Sequence, residues 1–234
     1  MMSERPALLL LPGLNCTQAL WAHQIAALSD RVVCHVPDMR GHTELRGLAK
    51  AILETAPARF SLAGLSMGGY VALEIMRRAP ERVIRLALID TQARGDDDET
   101  GERRRAQIAL AEGGGFERVI ELQWPRLVGP ANLDNVDLRA RVRAMAMETG
   151  PDAFVRQQTL ILNRPDARPN LSQIRCPTHV LVGEDDLITP PPVAEEMAKA
   201  IPTATMQVIP RAGHLAPMEE PDAVTAQLRE WLDQ

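Results

Sequence analysis

The chain has 234 residues, of which 45% are hydrophobic and only 3% aromatic, and its formal net charge is −5. This length fits one large α/β domain or two small ones, and the apolar content is sufficient for a sizeable core. The acidic balance argues against a nucleic-acid-binding protein, which usually presents a basic surface. The basic cluster Arg103–Arg105 follows the acidic residues 96–99. We therefore expect it to form a solvated helix start whose charges are offset locally.

The cysteines and the N-terminal region indicate the compartment. Cys16, Cys34 and Cys176 lie far apart and form no C-x-x-C pair, a pattern typical of a reducing compartment without structural zinc. The apolar run at 7–11 is too short for a signal peptide or a membrane span. We therefore expect a soluble, cytoplasmic protein that has no membrane partner.

Short apolar runs that end at turn residues predict six strands. They lie at residues 7–11, 31–36, 59–64, 84–90, 178–183 and 205–210. Continuous apolar runs of this length are typical of strands that are buried on both faces of a parallel sheet. Helical apolar stripes fall between them, at residues 17–28, 45–53, 67–78, 190–200 and 221–232. The alternation predicts an α/β fold with a doubly wound, mainly parallel sheet of about six strands.

Residues 94–172 interrupt this alternation, because no strand is evident there. The segment opens with charged residues, contains Gly113–Gly115 and then shows amphipathic helical stripes, one of which includes Leu138 and Val142. A stretch of this length is too long for a single loop in a compact domain. We therefore predict a helical cap at 94–172, inserted into a core that consists of residues 1–93 and 173–234.

The sequence Gly64-Leu65-Ser66-Met67-Gly68 places a serine between the third predicted strand and the following helix. A nucleophilic serine projects from the sheet edge on a sharp turn, which requires small residues two positions before and after it. Gly64 and Gly68 meet this requirement. The N–H of Met67, at the start of the helix, can then stabilise a developing oxyanion. We predict that Ser66 is a nucleophile rather than part of a purely structural turn.

A serine nucleophile needs a neighbouring base to accept its proton. Among the five histidines, His214 follows the last predicted strand, and doubly wound sheets keep their sites at the carboxyl ends of strands. We predict that His214 is the base. His42 lies on a similar loop, and we interpret it as a loop-packing or cap contact.

The acid that orients the histidine is expected after the fifth predicted strand. Three carboxylates, Glu184, Asp185 and Asp186, stand there in a row. The chain order Ser66, Asp186, His214 is the order expected for a triad on this architecture. Asp186 is therefore the first candidate, Asp185 the second and Asp90, at the end of the fourth strand, the third.

Five segments carry a resemblance to a known family. They read LLLLPGLNCTQALW, VPDMRGH, GLSMGG, VGEDDLITPP and PRAGHLAPMEEPDAV. Through them the chain resembles the α/β-hydrolase fold superfamily over essentially its whole length, and within it the single-domain serine esterases with a helical cap. That group also holds enol-lactonases, C–C-bond hydrolases and cofactor-free haloperoxidases. The resemblance implies that Asp186 and His214 complete the triad, and that the N–H of Leu14 joins that of Met67 in an oxyanion hole.

The sequence departs from the family pattern in two places. The first loop contains Pro12-Gly13 where the family usually has His-Gly, so the geometry of the glycine is expected to survive while a loop hydrogen bond is lost. The chain also opens directly on the strand that leads to this loop. We therefore expect the core to lack the two antiparallel N-terminal strands that are common in the family.

Hydrolysis of a small carboxylic ester is the leading functional hypothesis, with an acyl-enzyme on Ser66 and neither metal nor organic cofactor. The alternative is a C–C-bond hydrolase, lactonase or lyase that acts on a carboxylated metabolite through the same triad, with Arg40 or a cap arginine such as Arg126 binding the carboxylate. A non-catalytic small-molecule binding protein is a third hypothesis, and the intact triad argues against it. Serine at position 66 excludes the nucleophilic aspartate of dehalogenases and epoxide hydrolases. The oligomeric state is left open.

Overall fold

The computed structural model describes residues 5–234, which contain one sheet of six parallel strands. The spatial order of the strands is β2-β1-β3-β4-β5-β6. Their bounds are β1 Ala7–Leu11, β2 Val33–His35, β3 Phe60–Leu65, β4 Val83–Ile89, β5 Thr178–Gly183 and β6 Ala204–Ile209. The predicted α/β fold with a doubly wound parallel sheet is therefore confirmed.

Eleven α-helices occur within the described residues. They are α1 Ala22–Leu28, α2 Leu45–Thr55, α3 Met67–Arg78, α4 Asp98–Leu110, α5 Phe116–Leu127, α6 Val136–Thr149, α7 Pro151–Leu162, α8 Arg168–Leu171, α9 Pro191–Ala200, α10 Ala216–Glu219 and α11 Pro221–Asp233. A 3-10 turn, Gln18–Trp21, precedes α1, and a π-turn, Ala111–Gly115, joins α4 to α5. Among these helices, none has the length and apolar character that a membrane span requires.

Side chains of the strands pack into two hydrophobic cores, one on each face of the sheet. In β1, Leu9 and Leu11 belong to one core, while Leu8 and Leu10 belong to the other. This follows from the two-residue period of a strand, which points successive side chains to opposite faces. Helices α2, α3 and α9 cover the first face, and α1 and α11 cover the second. Burial on both faces explains why the strands are continuously apolar.

The two edge strands depart from the sequence prediction. Only Val33–His35 of the predicted strand 31–36 pairs with β1, and β2 is partly exposed. Strand β6 alternates exposed and half-buried residues instead of being buried throughout. Both strands have a neighbour on one side only, so they need less apolar surface than the central strands.

Five helices, α4 to α8, occupy most of residues 94–172. Phe116, Val119 and Phe154 form a small apolar cluster of their own within this segment. Other side chains of the segment, including Leu138 and Met145, join the core on the side of α1 and α11. The division of the chain into a core and a cap domain stays a prediction.

Candidate active site

Ser66 forms the turn between β3 and α3. Its backbone has φ 52° and ψ −115°, a positive-φ conformation that serine rarely adopts and that stores about 1–3 kcal/mol of strain. Two hydrogen bonds hold the turn: the N–H of Ser66 donates to the carbonyl of Ile89 at 3.0 Å, and Thr91 Oγ1 donates to the Ser66 carbonyl at 2.8 Å. The sharp turn leaves the serine side chain on the wall of a cavity.

Glycines around Ser66 make room for this turn. A Cβ on Gly64 would overlap the Gly68 carbonyl, and a Cβ on Gly68 would overlap the carbonyl of Leu11 at the end of β1. A Cβ on Gly69 would overlap the side chain of Thr91. The close approach of β1, β3 and α3 at this point is the physical reason for the G-x-S-x-G spacing.

His214 lies on the loop that follows β6 and contacts two other loops at the carboxyl edge of the sheet. Its Nε2 is 2.9 Å from Ser66 Oγ, and its Nδ1 is 2.8 Å from Asp186 Oδ2. Both distances are within the range over which a base can take a proton from a nucleophile and a carboxylate can orient the base. The structure thus brings the three predicted triad residues into one hydrogen-bonded chain.

Asp186 is held in the loop after β5. Its Oδ1 accepts hydrogen bonds from the N–H groups of Ile188 at 2.7 Å and Thr189 at 3.0 Å, and its Oδ2 accepts one from Thr189 Oγ1 at 2.7 Å. Burial opposes ionisation of this carboxyl, but His214 and the two N–H donors outweigh it, so that the pKa of Asp186 lies below its ordinary value. The carboxylate is therefore ionised over the neutral range.

Asp90 and Asp185, the other two candidates for the acid, are not hydrogen-bonded to His214 within the described residues. Asp90 is fully buried and accepts hydrogen bonds from the N–H groups of Gly183 at 2.8 Å and Ala216 at 3.2 Å. Burial, reinforced by the charge of Asp186, raises the pKa of Asp90 well above its ordinary value. Asp90 links the end of β5 to the histidine loop, and the carboxylate in contact with His214 is Asp186.

The loop after β1 lies against Ser66, because a Cβ on Gly13 would be 3.5 Å from Ser66 Cβ. Within residues 5–234, the N–H of Leu14 has no acceptor in the protein. The N–H of Met67 belongs to the first turn of α3, where backbone donors lack an intrahelical acceptor. Both predicted oxyanion donors therefore lie beside the serine, one in the loop after β1 and the other at the start of α3.

Glu219 supports the histidine loop from behind. This carboxylate accepts hydrogen bonds from the N–H groups on both sides of His214, those of Gly213 at 3.0 Å and Leu215 at 3.1 Å. It also accepts one, at 2.7 Å, from the N–H of Gly129, which lies just after α5. Burial raises the pKa of Glu219 above its ordinary value although these donors oppose the shift. One side chain thus connects the histidine loop to the helical segment 94–172.

A cavity of about 430 Å³ opens onto Ser66 and His214. Its size is within the range of small-molecule sites. Apolar side chains form much of its wall, among them Leu14, Leu65, Leu110, Leu122, Leu127, Ile161 and Ile188. Both the sheet loops and the helical segment 94–172 contribute to it. Within the described residues, no group of three or more His, Cys, Asp or Glu side chains is arranged to hold a metal ion.

Arginines also line this cavity, which corrects one prediction. Helix α4 begins at Asp98, and Arg103 and Arg104 face the cavity instead of forming a solvated helix start. The Arg104 side chain is 14% exposed and pairs with Asp96 at 2.6 Å, so the expected local offset of charge holds for this residue. The prediction of a solvated helix start was wrong for these two arginines. Side chains of one helix point in different directions around its axis, and the sequence did not show which of them would face the cavity.

Of Arg40 and Arg126, the two arginines named for carboxylate binding, only Arg126 is at the cavity. Arg126, near the end of α5, lines it. Arg40 is exposed and pairs with the adjacent Asp38 through Nε at 2.8 Å and Nη2 at 3.0 Å. Arg40 therefore does not face the serine, and its carbonyl instead accepts a hydrogen bond from Arg156 of α7 at 2.8 Å.

Cys16 lines the same cavity but is not activated. Burial raises the pKa of its thiol to about 12. The thiol is therefore protonated at neutral pH and is a poor nucleophile. The geometry around His214 leaves Ser66 as the side chain in contact with the base.

The model of a protein family, described as the alpha/beta hydrolase family, matches residues 8–227 of this sequence. The chain belongs to the alpha/beta hydrolase family. The matched range covers all of the sheet except Ala7, the helical segment and all three residues of the hydrogen-bonded chain. The family resemblance that the five sequence segments carry is therefore confirmed.

Individual relatives within the alpha/beta hydrolase family include several named enzymes. A pimeloyl-[acyl-carrier protein] methyl ester esterase of Nitrosomonas europaea is 28% identical, over 89% of this chain and 88% of that protein. The structure of a thermophilic esterase from Thermogutta terrifontis, solved with malate bound, is 33% identical and has a TM-score of 0.91, covering 98% of this chain and 90% of that one. The enol-lactonase from Burkholderia xenovorans LB400 is 26% identical with a TM-score of 0.91, covering 99% and 93%. The similarities support a hydrolase of this fold.

Sequence reasoning missed several residues around this alpha/beta hydrolase site. Glu219 lies inside the motif PRAGHLAPMEEPDAV, so its position was visible although its role was not. Thr189 lies in VGEDDLITPP, and its hydroxyl donates to Asp186 and is 3.3 Å from His214 Nδ1. Gln157 of α7 accepts a hydrogen bond from the Asn15 N–H, and no local signal in the sequence indicates this contact.

Proposed function

We propose that this protein is a serine hydrolase that cleaves a small carboxylic ester through an acyl-enzyme. The observation that carries the proposal is the pair of contacts made by His214, to Ser66 Oγ at 2.9 Å and to Asp186 Oδ2 at 2.8 Å. Serine hydrolases use such a chain to generate the nucleophile, hold the histidine tautomer and stabilise the imidazolium. The ionised Asp186 suits the third of these roles.

The proposed reaction follows from the geometry. Ser66 Oγ attacks the ester carbonyl while His214 Nε2 accepts its proton, and the N–H groups of Leu14 and Met67 bind the oxyanion. His214 then returns the proton to the leaving alcohol, which leaves an acyl group on Ser66. Water, deprotonated by His214, releases the acid and restores the serine.

The helical segment 94–172 is proposed to act as a cap over this site. It supplies cavity residues from α4 and α5, and its residue Gly129, in the turn after α5, is hydrogen-bonded to Glu219 beside the histidine loop. A cap of this kind excludes water and selects the substrate by shape and charge. Substrate preference is therefore expected to reside largely in this segment.

Hydrolysis of p-nitrophenyl esters, from acetate to decanoate, tests the proposal. The native protein is expected to turn over at least the shorter esters, and Ser66→Ala and His214→Ala are expected to lose about 10³-fold or more in kcat. A fluorophosphonate should label Ser66 covalently in the native protein but not in Ser66→Ala. Full activity of Ser66→Ala would contradict the proposed mechanism. Failure of the fluorophosphonate to label Ser66 would favour a non-catalytic binding protein.

Lactone opening is a second candidate, favoured by the similarity to the enol-lactonase. It uses the same residues, since a lactone is a cyclic ester whose alcohol stays attached to the acyl group. Turnover of a lactone in preference to all open-chain esters would assign this reaction. Turnover of a vinylogous diketone without ester hydrolysis would instead indicate C–C-bond cleavage.

A further inference from the structure

The wall of the cavity beside Ser66 contains three arginines but no carboxylate. Arg103 of α4 and Arg126 of α5 line it, together with Arg104, and none of the lining residues is Asp or Glu. The guanidinium groups of Arg103 and Arg126 donate hydrogen bonds to uncharged oxygens. Arg103 donates to Thr100 Oγ1 at 3.2 Å, and Arg126 donates to the Leu187 carbonyl at 3.1 Å. Both groups thus keep free donors.

Asp96, the carboxylate that pairs with the third arginine, is already occupied. Asp96 pairs with Arg104 at 2.6 Å and with Arg164 at 2.8 Å, so that a single negative charge faces two positive ones. It therefore has no surplus charge to offset Arg103 or Arg126. Burial, together with repulsion from Arg103 and Arg104, lowers the pKa of Arg126. The repulsion is unfavourable in the free protein and would be relieved by an anionic ligand.

The chemistry of the ligand follows from the chemistry of the guanidinium group. Its planar fork of N–H donors matches a carboxylate, and such charge-assisted hydrogen bonds are strong in a partly buried site. The remaining wall is largely apolar, as around Leu110 and Leu122, which suits a methylene chain. We infer that the substrate of the proposed ester hydrolysis carries a carboxylate remote from the ester group, and that Arg103 and Arg126 bind it. The inference rests on the proposed function for the reaction but not for the binding.

Matched pairs of charged and neutral esters test this substrate class. Monomethyl adipate is compared with methyl hexanoate, which places the carboxylate on the acyl side, and 4-acetoxybutyrate with butyl acetate, which places it on the alcohol side. We expect the charged ester of at least one pair to have a kcat/KM about tenfold or more above that of its neutral partner. The responding pair identifies the side of the ester that bears the carboxylate.

The double variant Arg103→Gln/Arg126→Gln locates the preference. The charged-to-neutral ratio of kcat/KM is expected to fall about 10- to 100-fold, as for loss of hydrogen bonds to a charged group. Arg105→Gln is the matched control, because Arg105 belongs to the same helix but is exposed and lies outside the cavity wall. An equal fall in Arg105→Gln, or an unchanged ratio in the double variant, would overturn the inference. Thermal unfolding of each variant checks that it is folded.

Binding to Ser66→Ala separates this inference from the proposed reaction. Calorimetry with adipate is expected to show saturable binding that weakens at least tenfold when Arg103 and Arg126 are also replaced. Adipate binding without turnover of any ester would leave the carboxylate site standing and refute the esterase proposal. Ester turnover with no charged-ester preference and no adipate binding would refute the carboxylate site and leave the esterase proposal intact.

Discussion

Gln157 Oε1 accepts a hydrogen bond from the N–H of Asn15 at 3.1 Å, although 142 positions separate the two residues. Gln157 is completely buried in α7, and its Nε2 donates to the Met39 carbonyl at 3.4 Å. Asn15 has φ 58° and directly follows Leu14, the proposed oxyanion donor. The helical segment 94–172 therefore holds the loop on which that donor lies.

Replacement of Gln157 by Leu is expected to impair the oxyanion hole. The buried N–H of Asn15 would lose its acceptor, at a cost of about 1–3 kcal/mol, and the Leu14 N–H would be held less firmly. We expect kcat for a p-nitrophenyl ester to fall about 10- to 100-fold with little change in KM. Affinity for a boronic acid, which forms a tetrahedral adduct with the serine, should fall in parallel.

The control for Gln157→Leu is Thr159→Val in the same helix. The Thr159 hydroxyl donates to the Val155 carbonyl at 2.8 Å, a bond within α7. Its loss is expected to leave kcat and boronate affinity near their native values. A merely structural role of Gln157 would lower the melting temperature without a specific loss of boronate affinity.

Asparagine replacements of Asp186 and Asp185 are expected to separate the triad acid from its neighbour. Asp186→Asn removes the carboxylate that accepts from His214 Nδ1, so the histidine loses its orienting partner and kcat should drop about 10³- to 10⁴-fold. Asp185→Asn is expected to retain nearly native activity. Steady-state kinetics on one ester checks both, and a larger loss in Asp185→Asn would reassign the acid.

Alanine at Gly68 is expected to abolish activity, whereas alanine at Gly113 is not. The methyl group at Gly68 would overlap the Leu11 carbonyl, while nothing lies within 4 Å of the same position at Gly113. Gly113→Ala should be neutral or stabilising by up to about 1 kcal/mol, because alanine has the higher helix propensity. Urea denaturation and ester hydrolysis measure both effects. Native stability and activity of Gly68→Ala would contradict the steric explanation.

The pH dependence of stability is expected to report the burial of Glu219. Because its pKa is raised above the ordinary value of 4.5, the folded protein keeps this proton to a higher pH than the unfolded chain does. The free energy of unfolding of the native protein, relative to Glu219→Gln, should therefore fall as pH rises from about 4.5 through the raised pKa, and be constant above it. Urea titrations of both proteins across this range measure the difference. A difference that grows with pH would mean that the pKa is lowered.

Local patterns in the sequence were sufficient for the sheet and for Ser66, whereas the choice of Asp186 also drew on the chain order and on the family resemblance. Uninterrupted apolar runs predicted the central strands because a strand such as β3 is covered on both faces. Ser66 was predicted because a strand, a glycine-flanked serine and a helix follow each other directly. The edge strands β2 and β6 were predicted less well, because their burial depends on a neighbour that is missing on one side.

In the segment 94–172, local sequence patterns predicted the helices but not their tertiary contacts. Its helices were expected from length and amphipathic spacing, but the surroundings of Arg104 were not. The partner of Arg104 is Asp96, and its second contact is Gln158 of α7, 54 positions away. Only the packing of α4 against α7 decides that this arginine is half-enclosed at a cavity instead of being solvated.

By itself, the sequence determined the parallel sheet and the sharp turn at Ser66, and it proposed His214 and Asp186 as partners of the serine, because each depends on residues close together in the chain or on the fixed order of strands. The tertiary structure alone decided that Gln157 holds the loop of Asn15, that Glu219 accepts hydrogen bonds on both sides of His214, and that Arg103 and Arg126 face the cavity. These contacts join side chains from helices whose relative rotation is set by packing. No periodicity in one helix specifies which of its polar side chains another helix will meet.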